Sequence, residues 1–257
     1  MGIVNVTPDS FSDGGRCADA AWRHAEQLLA EGADLLDIGG ESTRPGAAPV
    51  SEQEELDRVL PLFERMRGAP VPLSVDTYKP VVMRAALAAG ASLVNDVSAL
   101  QAPGALEVVA ASDAAVCLMH RQGDAQSMQS LPQYQEVVGE VRDFLRQRLA
   151  ALEAAGIARQ RWLIDPGFGF GKTLEHNLAL LRRLDELAAL KVPVLAGLSR
   201  KSMLGMLTGQ PVGQRLAASV AAALVAVSKG ADIVRVHDVR PTVDALKIWN
   251  AVNGVQA

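Results

Sequence analysis

The chain has 257 residues, of which 49% are apolar and 21% are charged. This composition supplies a large core and excludes a disordered chain, and the length suits one domain, including a single α/β barrel. Lys and Arg total 25 against 29 Asp and Glu, which gives a net charge of −4. Broad, charge-driven binding of nucleic acid is therefore disfavoured.

The cysteines and the start of the chain indicate its compartment. Cys17 and Cys117 form no CxxC pair, which argues against a disulfide scaffold or a cysteine zinc site and predicts reduced thiols. Residues 1–10 lack the basic region of a signal peptide. The most apolar helical stretch, 217–227, is too short to span a bilayer. We expect a cytoplasmic protein with no membrane partner.

Short apolar runs alternate with amphipathic helical stretches along the whole chain. Ser51 to Glu54 reads S-x-x-E, a capping box, and Pro80 suits a first helical turn. Continuous apolar runs are typical of parallel strands buried on both faces. Helices are expected to stop at Gly32, Gly90, Gly156 and Gly230. Eight strands are predicted, at 3–6, 35–38, 71–75, 93–97, 115–119, 162–164, 192–198 and 233–236.

Eight such units predict an α/β protein that forms a single-domain (β/α)8 TIM barrel over residues 1–257. The alternative is a doubly wound open sheet, in which polar residues would gather near the switch point. Here polar residues end nearly every strand, which favours the barrel. Any one of them could merely cap the next helix. As a ring they predict one active site at the carboxyl ends of the strands.

The ring combines carboxylates and an amide with basic side chains. A carboxylate accepts two parallel N–H donors, which suits the edge of a guanine-like or pterin-like ring. Arg44, Arg235 and His237 suit phosphate oxygens. Asn5 offers a hard oxygen to Mg²⁺, which would accompany a diphosphate. The pattern therefore indicates a flat heterocycle that carries a phosphate or diphosphate.

Two loops rich in Gly, Ser, Pro and Asp follow the first two strands, at 7–16 and 39–50. They could be ordinary connections, but on this face they are interpreted as lids that close over substrate. Phe11 and Arg44 lie within them. The glycine-rich stretch at 167–173 fails the P-loop spacing, and we expect it to form a wall for a ligand ring, with Phe170 packed on that ring.

These motifs together resemble the dihydropteroate synthases of the folate pathway. The resemblance begins at IVNVTPDSFSDGG (3–15) and GGESTRPGA (39–47). It continues through SVDT (74–77), ND (95–96), MH (119–120), DPGFGFGK (165–172), SRKS (199–202) and RVHD (235–238). Because the set runs in order from the first strand to the last, it is far more specific than any one motif.

The resemblance implies a homodimeric (β/α)8 barrel that condenses (7,8-dihydropterin-6-yl)methyl diphosphate with 4-aminobenzoate to 7,8-dihydropteroate and diphosphate. It implies a cytoplasmic, Mg²⁺-using transferase and a sulfonamide target. The electron-rich pterin can support positive charge at its methylene, so a dissociative, SN1-like displacement is expected. By resemblance, helices at 212–229 form the dimer interface.

The resemblance also implies roles for individual residues. The pterin would be held by Thr43, Asp76, Asn95, Asp165, Lys201 and Arg235. The diphosphate would lie against Asn5, Arg44, Arg235 and His237, with Mg²⁺ on Asn5. The aminobenzoate would contact Phe11, Pro45, Phe170 and Ser202. The catalytic groups would be Lys201, Asp165, Arg44, Arg235 and His237.

The chain departs from the family pattern in one respect, and two alternative functions are weighed. Members of the family usually carry a stretch before the first strand, often a hairpin across the barrel floor, which this chain is expected to lack. A pterin-binding methyltransferase barrel would share the pterin pocket, but Arg44, His237 and the loop at 7–16 argue against it. A non-catalytic paralogue should have lost part of the ring, and Asn5, Asp76 and Lys201 are among the residues retained.

Overall fold

The computed structural model describes residues 1–6, 14–42, 47–123 and 132–254, with no account of the side chains of residues 14–18. Strands and helices alternate throughout these ranges. The strands are β1 (Gly2–Asn5), β2 (Leu36–Gly39), β3 (Leu73–Asp76), β4 (Leu93–Asp96), β5 (Ala115–Met119), β6 (Trp162–Asp165), β7 (Leu195–Ala196) and β8 (Ile233–Val234).

Helices follow the strands and cover them from outside. They are α1 (Gly14–Ala30), α2 (Glu52–Arg65), α3 (Pro80–Ala89), α4 (Ala105–Ala110), α5 (Val137–Ala154), α6 (Leu174–Arg182), α7 (Ser202–Thr208), α8 (Leu216–Ser228) and α9 (Val239–Asn253). Short 3₁₀ helices occupy Arg159–Arg161, Leu184–Leu190 and Val212–Gln214. Within the described ranges, none of the helices combines the length and the apolarity that a membrane crossing requires.

The strands close into a ring in chain order. β1 to β6 form one parallel sheet, and β7 pairs with β8 in parallel. Two single parallel bridges join these sheets, Ile164 to Val194 on one side and Gly2 to Val236 on the other. The ring and its outer helices confirm the predicted (β/α)8 barrel.

The sequence signals that predict where helices begin and end act as predicted, with one difference. All four expected stop glycines adopt positive φ, which reaches 115° at Gly90. Pro80 stands in the first turn of α3. Ser51 accepts the N–H of Glu54, but the Glu54 carboxylate binds Arg58 instead of completing the capping box. The nearby guanidinium outcompetes the backbone N–H because a charged donor binds a carboxylate more strongly.

An apolar layer fills the ring near the amino ends of its strands. Leu93 of β4, Cys117 of β5 and Leu195 of β7 are buried together with Met1. Since β7 pairs with neither β4 nor β5, these side chains meet across the interior of the ring. Partly buried residues pack on this layer, namely Leu35, Ala115, Leu163 and Ile233.

Candidate active site

The polar residues of the site form the next layer above this apolar floor. Side chains alternate along a strand, so a residue two positions beyond an inward-facing one also faces inward. Because this layer lies toward the carboxyl ends of the strands, it occupies the usual active face of a barrel. Its members are Asp37, Asn95, Asp165, Gly197 and Arg235, which follow Leu35, Leu93, Leu163, Leu195 and Ile233 by two positions.

Arg235 bridges two carboxylates on this face. Its Nε donates to Asp37 Oδ2 at 2.6 Å, and its Nη2 donates to Asp76 Oδ2 at 2.7 Å. Asn95 donates its side-chain amide to the same Asp37 oxygen at 3.0 Å. Asp37 Oδ1 and Asp76 Oδ1 are buried and accept no hydrogen bond from the described residues. Two strong acceptors in a site of this kind point to a ligand that supplies N–H donors.

Lys201 follows β7 and lies near Asp165 of β6. The Lys201 ammonium donates to the carbonyl oxygen of Phe168 and lies 4.8 Å from the ring centroid of Phe170. Asp165 Oδ1 accepts the N–H of Gly167 at 2.7 Å. A Cβ built on Gly197 would lie 3.8 Å from Lys201 Nζ and 4.0 Å from Asp165 Oδ2. This glycine therefore leaves space between the two charged groups.

Burial and charge pairing tune these groups. Burial lowers the pKa of Lys201 to about 8, although Asp165 acts in the opposite direction. Burial raises the pKa of Asp76 to about 7, against the effect of Arg235. It also raises the pKa of Asp165, which Lys201 partly offsets. Burial acts to lower the pKa of Arg235, but Asp37 and Asp76 outweigh it and raise that pKa above its ordinary value.

The structure thus brings five of the sequence-predicted residues together with Asp37. We call this group the charged cup: Asp37, Asp76, Asn95, Asp165, Lys201 and Arg235. Perturbed pKa values in a concave site are typical of functional groups. The cup gathers carboxylates, an amide and two cations, and two of its carboxylate oxygens have no partner among the described residues, so it can bind a planar ring through its polar edge and stabilise charge beside it.

His237 lies at the rim of the cup, after β8. Its Nδ1 lies 3.0 Å from Ser199 Oγ, and its backbone N–H donates to the same oxygen at 3.2 Å. Beside it, Arg200 forms a two-pronged pair with Asp238. These contacts tie the segments after β7 and β8 together and hold the His237 imidazole against Ser199.

The remaining predicted residues fall into two groups. Asn5 ends β1 and is half-buried, and Ser202 is the exposed first residue of α7. The predictions for Phe11, Thr43, Arg44 and Pro45 lie outside the described residues, as do 7–13 and 43–46 of the two predicted lids. Residues 14–16, predicted as the end of the first lid, instead begin α1.

Several buried charged residues had no assigned role in the sequence, among them Asp37, Lys79 and Lys172. Asp37 lies within the apolar run at 35–38, where a polar residue could equally cap the next helix. Lys79 binds the carboxylates of Glu41 and Glu55. Lys172 lies among backbone oxygens of the segments after β5 and β6. Lys79 and Lys172 each belong to a predicted loop, where lysine normally faces solvent, so their pairing gave no local signal.

The closed ring and the charged cup define a (β/α)8-barrel enzyme. Residues 1–237 match the model of the pterin binding enzyme family. The chain is 56% identical to the dihydropteroate synthase of Neisseria meningitidis serogroup C, over 98% of this chain and 92% of that protein.

Two solved structures are also similar. Xanthomonas albilineans dihydropteroate synthase with 4-aminobenzoic acid superposes with a TM-score of 0.94 at 57% identity, covering 100% of this chain and 93% of that one. Burkholderia cenocepacia dihydropteroate synthase complexed with 7,8-dihydropteroate gives a TM-score of 0.91 at 55% identity, covering 99% and 91%. The chain belongs to the pterin binding enzymes and, within them, to the dihydropteroate synthases.

Proposed function

We propose that the charged cup binds the pterin ring of (7,8-dihydropterin-6-yl)methyl diphosphate, which the chain condenses with 4-aminobenzoate to 7,8-dihydropteroate and diphosphate. The observation that carries this assignment is the cup itself: carboxylates, an amide, an ammonium and a guanidinium are gathered in one cluster, and two of its buried carboxylate oxygens accept no hydrogen bond from the described residues. The amino-pyrimidinone edge of a pterin offers N–H donors to the carboxylates and a carbonyl oxygen to the cation.

Within the cup, the acidic residues hold the donor edge of the ring. Asp165, Asn95 and Asp76 accept and donate along that edge, and Asp76 Oδ1 is a buried acceptor without a partner among the described residues. Lys201, with a pKa of about 8, is mainly protonated at pH 7 and donates to the ring. Thr43 completes this set by family resemblance.

The diphosphate group is assigned to the rim. Arg235 remains charged because Asp37 and Asp76 raise its pKa, and the imidazole of His237, two positions further along the chain, is held by Ser199. Arg44 and Asn5 complete the set by family resemblance. Fixed cations next to a leaving group stabilise the charge that develops there.

The displacement is dissociative. The bond from the pterin methylene to the diphosphate oxygen breaks, and its electron pair leaves with the diphosphate. The methylene cation is delocalised into the electron-rich pterin, and the carboxylates of the cup stabilise it. The neutral arylamine nitrogen then forms the new C–N bond and releases a proton. No strong base is required, because the arylamine is neutral at pH 7.

Mg²⁺ fits this arrangement with Asn5 as its protein ligand. Among the described residues there is no cluster of three His, Cys, Asp or Glu that could hold a metal by itself. Mg²⁺ commonly keeps several waters and binds through one protein oxygen together with substrate phosphates. Bound in this way, it would neutralise charge on the diphosphate.

The aminobenzoate would lie over Phe170, next to Ser202 at the start of α7, with Phe11 and Pro45 completing its site by resemblance. Sulfonamides share the shape of this substrate, and we expect them to inhibit by competing with it. The loops at 7–13 and 39–50 would exclude water, which would otherwise capture the cation.

We also propose a cytoplasmic homodimer. Cys117 is buried and free, as expected in a reducing compartment. The outer surface of α7, α8 and α9 and of the segment between α7 and α8 exposes apolar side chains that a partner would cover. They are Met206, Leu207, Val212, Leu216, Val225, Ile248 and Val252.

The decisive assay measures diphosphate release by the purified chain with Mg²⁺. Release that requires both the pterin diphosphate and 4-aminobenzoate is the expected result. Release without the amine, or none with both substrates, would refute the assignment. A sulfonamide titration in the same assay should raise the KM for 4-aminobenzoate and leave kcat unchanged.

A further inference from the structure

Lys172 is a buried lysine that the proposed reaction does not use, and burial lowers the pKa of its amine well below the ordinary value although Asp165 acts in the opposite direction. Lys172 is 3% exposed and lies after β6, in the segment that precedes α6. Its Nζ donates to Gly167 O at 2.9 Å and to Phe170 O at 3.0 Å, and it lies 2.9 Å from His120 Nδ1. Burial, together with Lys172, lowers the pKa of His120 to about 3, so the imidazole is neutral and its Nδ1 can accept.

These contacts enclose the segment at 166–171, which we call the β6 turn. Lys172 holds the carbonyl groups on either side of Phe168, and the carbonyl of Phe168 itself accepts from Lys201. At the start of the turn, the N–H of Gly167 donates to Asp165. The Lys172 side chain therefore holds the 167–168 peptide group, which lies directly between the two peptide groups that orient Asp165 and Lys201.

The β6 turn also packs directly on the segment after β5. A Cβ on Gly167 would lie 1.9 Å from His120 O, and one on Gly171 would lie 2.3 Å from Gln122 O. Backbones in such close contact place their carbonyl dipoles near one another. His120 O lies 3.4 Å from Lys172 Nζ. The Lys172 amine offsets this crowding because it supplies N–H donors to carbonyls of both segments.

We propose that Lys172 is a positioning residue for pterin binding: it fixes the β6 turn so that Gly167 N–H and Phe168 O hold Asp165 and Lys201 in their binding orientation. This inference rests on the proposed pterin role of the cup. Lys172 acts through these two residues and does not itself touch the ring.

The test compares K172M with T173A. Methionine retains most of the side-chain volume but cannot donate to Gly167 O or Phe170 O. T173A removes the neighbouring helix cap, in which Thr173 Oγ1 accepts from His176 N–H. It therefore controls for a loss of stability of about 1 kcal/mol at the same place in the chain. The probes are 6-hydroxymethylpterin, which has no leaving group, and Mg²⁺-diphosphate, both titrated by calorimetry.

We expect K172M to bind 6-hydroxymethylpterin about 10-fold to 100-fold more weakly, since a small misplacement of binding groups has effects of this order. Binding of Mg²⁺-diphosphate should be unchanged, and T173A should bind both probes as the parent does. Unchanged pterin binding by folded K172M, or equal weakening of both probes, would overturn the inference.

If K172M does not fold, K172Q replaces it, because its amide keeps an N–H donor. A smaller loss of pterin affinity alone is then expected, and parental affinity would overturn the inference. A parent enzyme that binds pterin but releases no diphosphate with both substrates would contradict the proposed reaction and leave the role of Lys172 in pterin binding intact.

Discussion

Arg235 and Asp37 are joined by a hydrogen bond of 2.6 Å although 198 positions separate them in the sequence. Asp37 is fully buried on β2, and the Arg235 side chain is 20% exposed. The same Asp37 oxygen also accepts from Asn95. Asp37 therefore orients both Arg235 and Asn95. Its negative charge also balances the Arg235 guanidinium, whose other hydrogen-bonded carboxylate is Asp76.

Replacing Asp37 should destabilise the fold. D37N keeps the size of the side chain but removes the charge that faces Arg235, and breaking a buried pair typically costs about 3–5 kcal/mol. Urea unfolding at pH 7 should show a decrease in the free energy of unfolding near the lower end of that range, since Arg235 keeps its ion pair with Asp76. D57N changes an exposed carboxylate on α2 and should have no measurable effect. Equal stability of D37N and D57N would contradict this view of the cup.

Removing a charged group from the cup should reduce turnover and leave the fold intact. K201A and D165A each lose a group assigned to the pterin, and losses of one such contact lie at about 10²-fold to 10³-fold in kcat. Diphosphate release measures the effect, and thermal melting followed by circular dichroism reports the fold. K229A, far along the chain after α8, serves as the matched control. Near-parental turnover by folded D165A would refute its pterin role.

Pterin affinity should fall as the pH rises through about 8. Burial lowers the pKa of Lys201 to about 8 from its ordinary 10.5, with Asp165, Arg235 and Asp76 as its charged neighbours. Deprotonation there removes a charged donor to the ring. A calorimetric titration of 6-hydroxymethylpterin from about pH 7.5 to about pH 10, which brackets the pKa of Lys201 and stays above that of Asp76 at about 7, should show this decline in the parent. K201M should bind weakly without it.

The lowered pKa of Lys201 also affects the free energy of unfolding, which should rise with pH where pterin affinity falls. Because the folded state binds this proton less tightly than the unfolded chain, the Lys201 contribution favours folding increasingly as the pH rises from about 8 toward 10.5. Affinity and stability should therefore diverge in this interval. A decline of affinity that persists in K201M would assign the titration to another group.

Lys79 should stabilise the amino end of α2. Its ammonium donates to Glu41, to Glu55 at 2.7 Å and to Val50 O at 2.5 Å. K79M would leave two nearly buried carboxylates without their cation and should lower the free energy of unfolding by about 3–5 kcal/mol at pH 7. Urea unfolding measures this. K79M/E55Q should recover part of the loss, and no recovery would contradict the pairing.

This contribution also has a defined pH dependence. Burial acts to lower the pKa of Lys79, but hydrogen bonds to Glu41 and Glu55 outweigh it and raise the pKa above 10.5. The stabilisation is therefore complete below 10.5 and lost as the pH rises through the folded pKa. The difference between the parent and K79M should shrink in that alkaline range. A difference that is constant with pH would indicate a packing effect instead.

The apolar surface of α7 to α9 should mediate dimerisation. V225E places a charge within it, and V81E places the same charge on α3, where the valine is similarly exposed at 41% against 44%. Sedimentation velocity should find the parent and V81E as dimers and V225E as a monomer. A monomeric parent would refute the homodimer, and a dimeric V225E would place the interface elsewhere.

Most of the fold could be predicted because its signals are local. Each strand is a short apolar run, and glycines mark where helices stop, so all eight strands were found near their observed positions. Boundaries were less accurate where pairing sets them. The predicted strand at 192–198 contains only Leu195–Ala196 as a ladder, since Val194 meets β6 through one bridge.

The site was predictable to the extent that its residues end strands. Asp76, Asn95, Asp165, Lys201 and Arg235 follow apolar runs, so the barrel prediction alone brought them to one face. Asp37 and Lys172 were missed for a different reason. Their partners lie in segments distant along the chain, and only the folded ring shows that Asp37 meets Arg235, or that Lys172 lies beneath the β6 turn.

The two single bridges divide the wall of the barrel unequally. β7 and β8 hold each other but are joined to the six-stranded sheet by one bridge at either side. Few backbone amides are hydrogen-bonded across these two junctions, so local opening and hydrogen exchange should begin there. The segments that follow these two strands carry Lys201 and Arg235, so one opening of this quarter would withdraw both cations from their acids in a single motion.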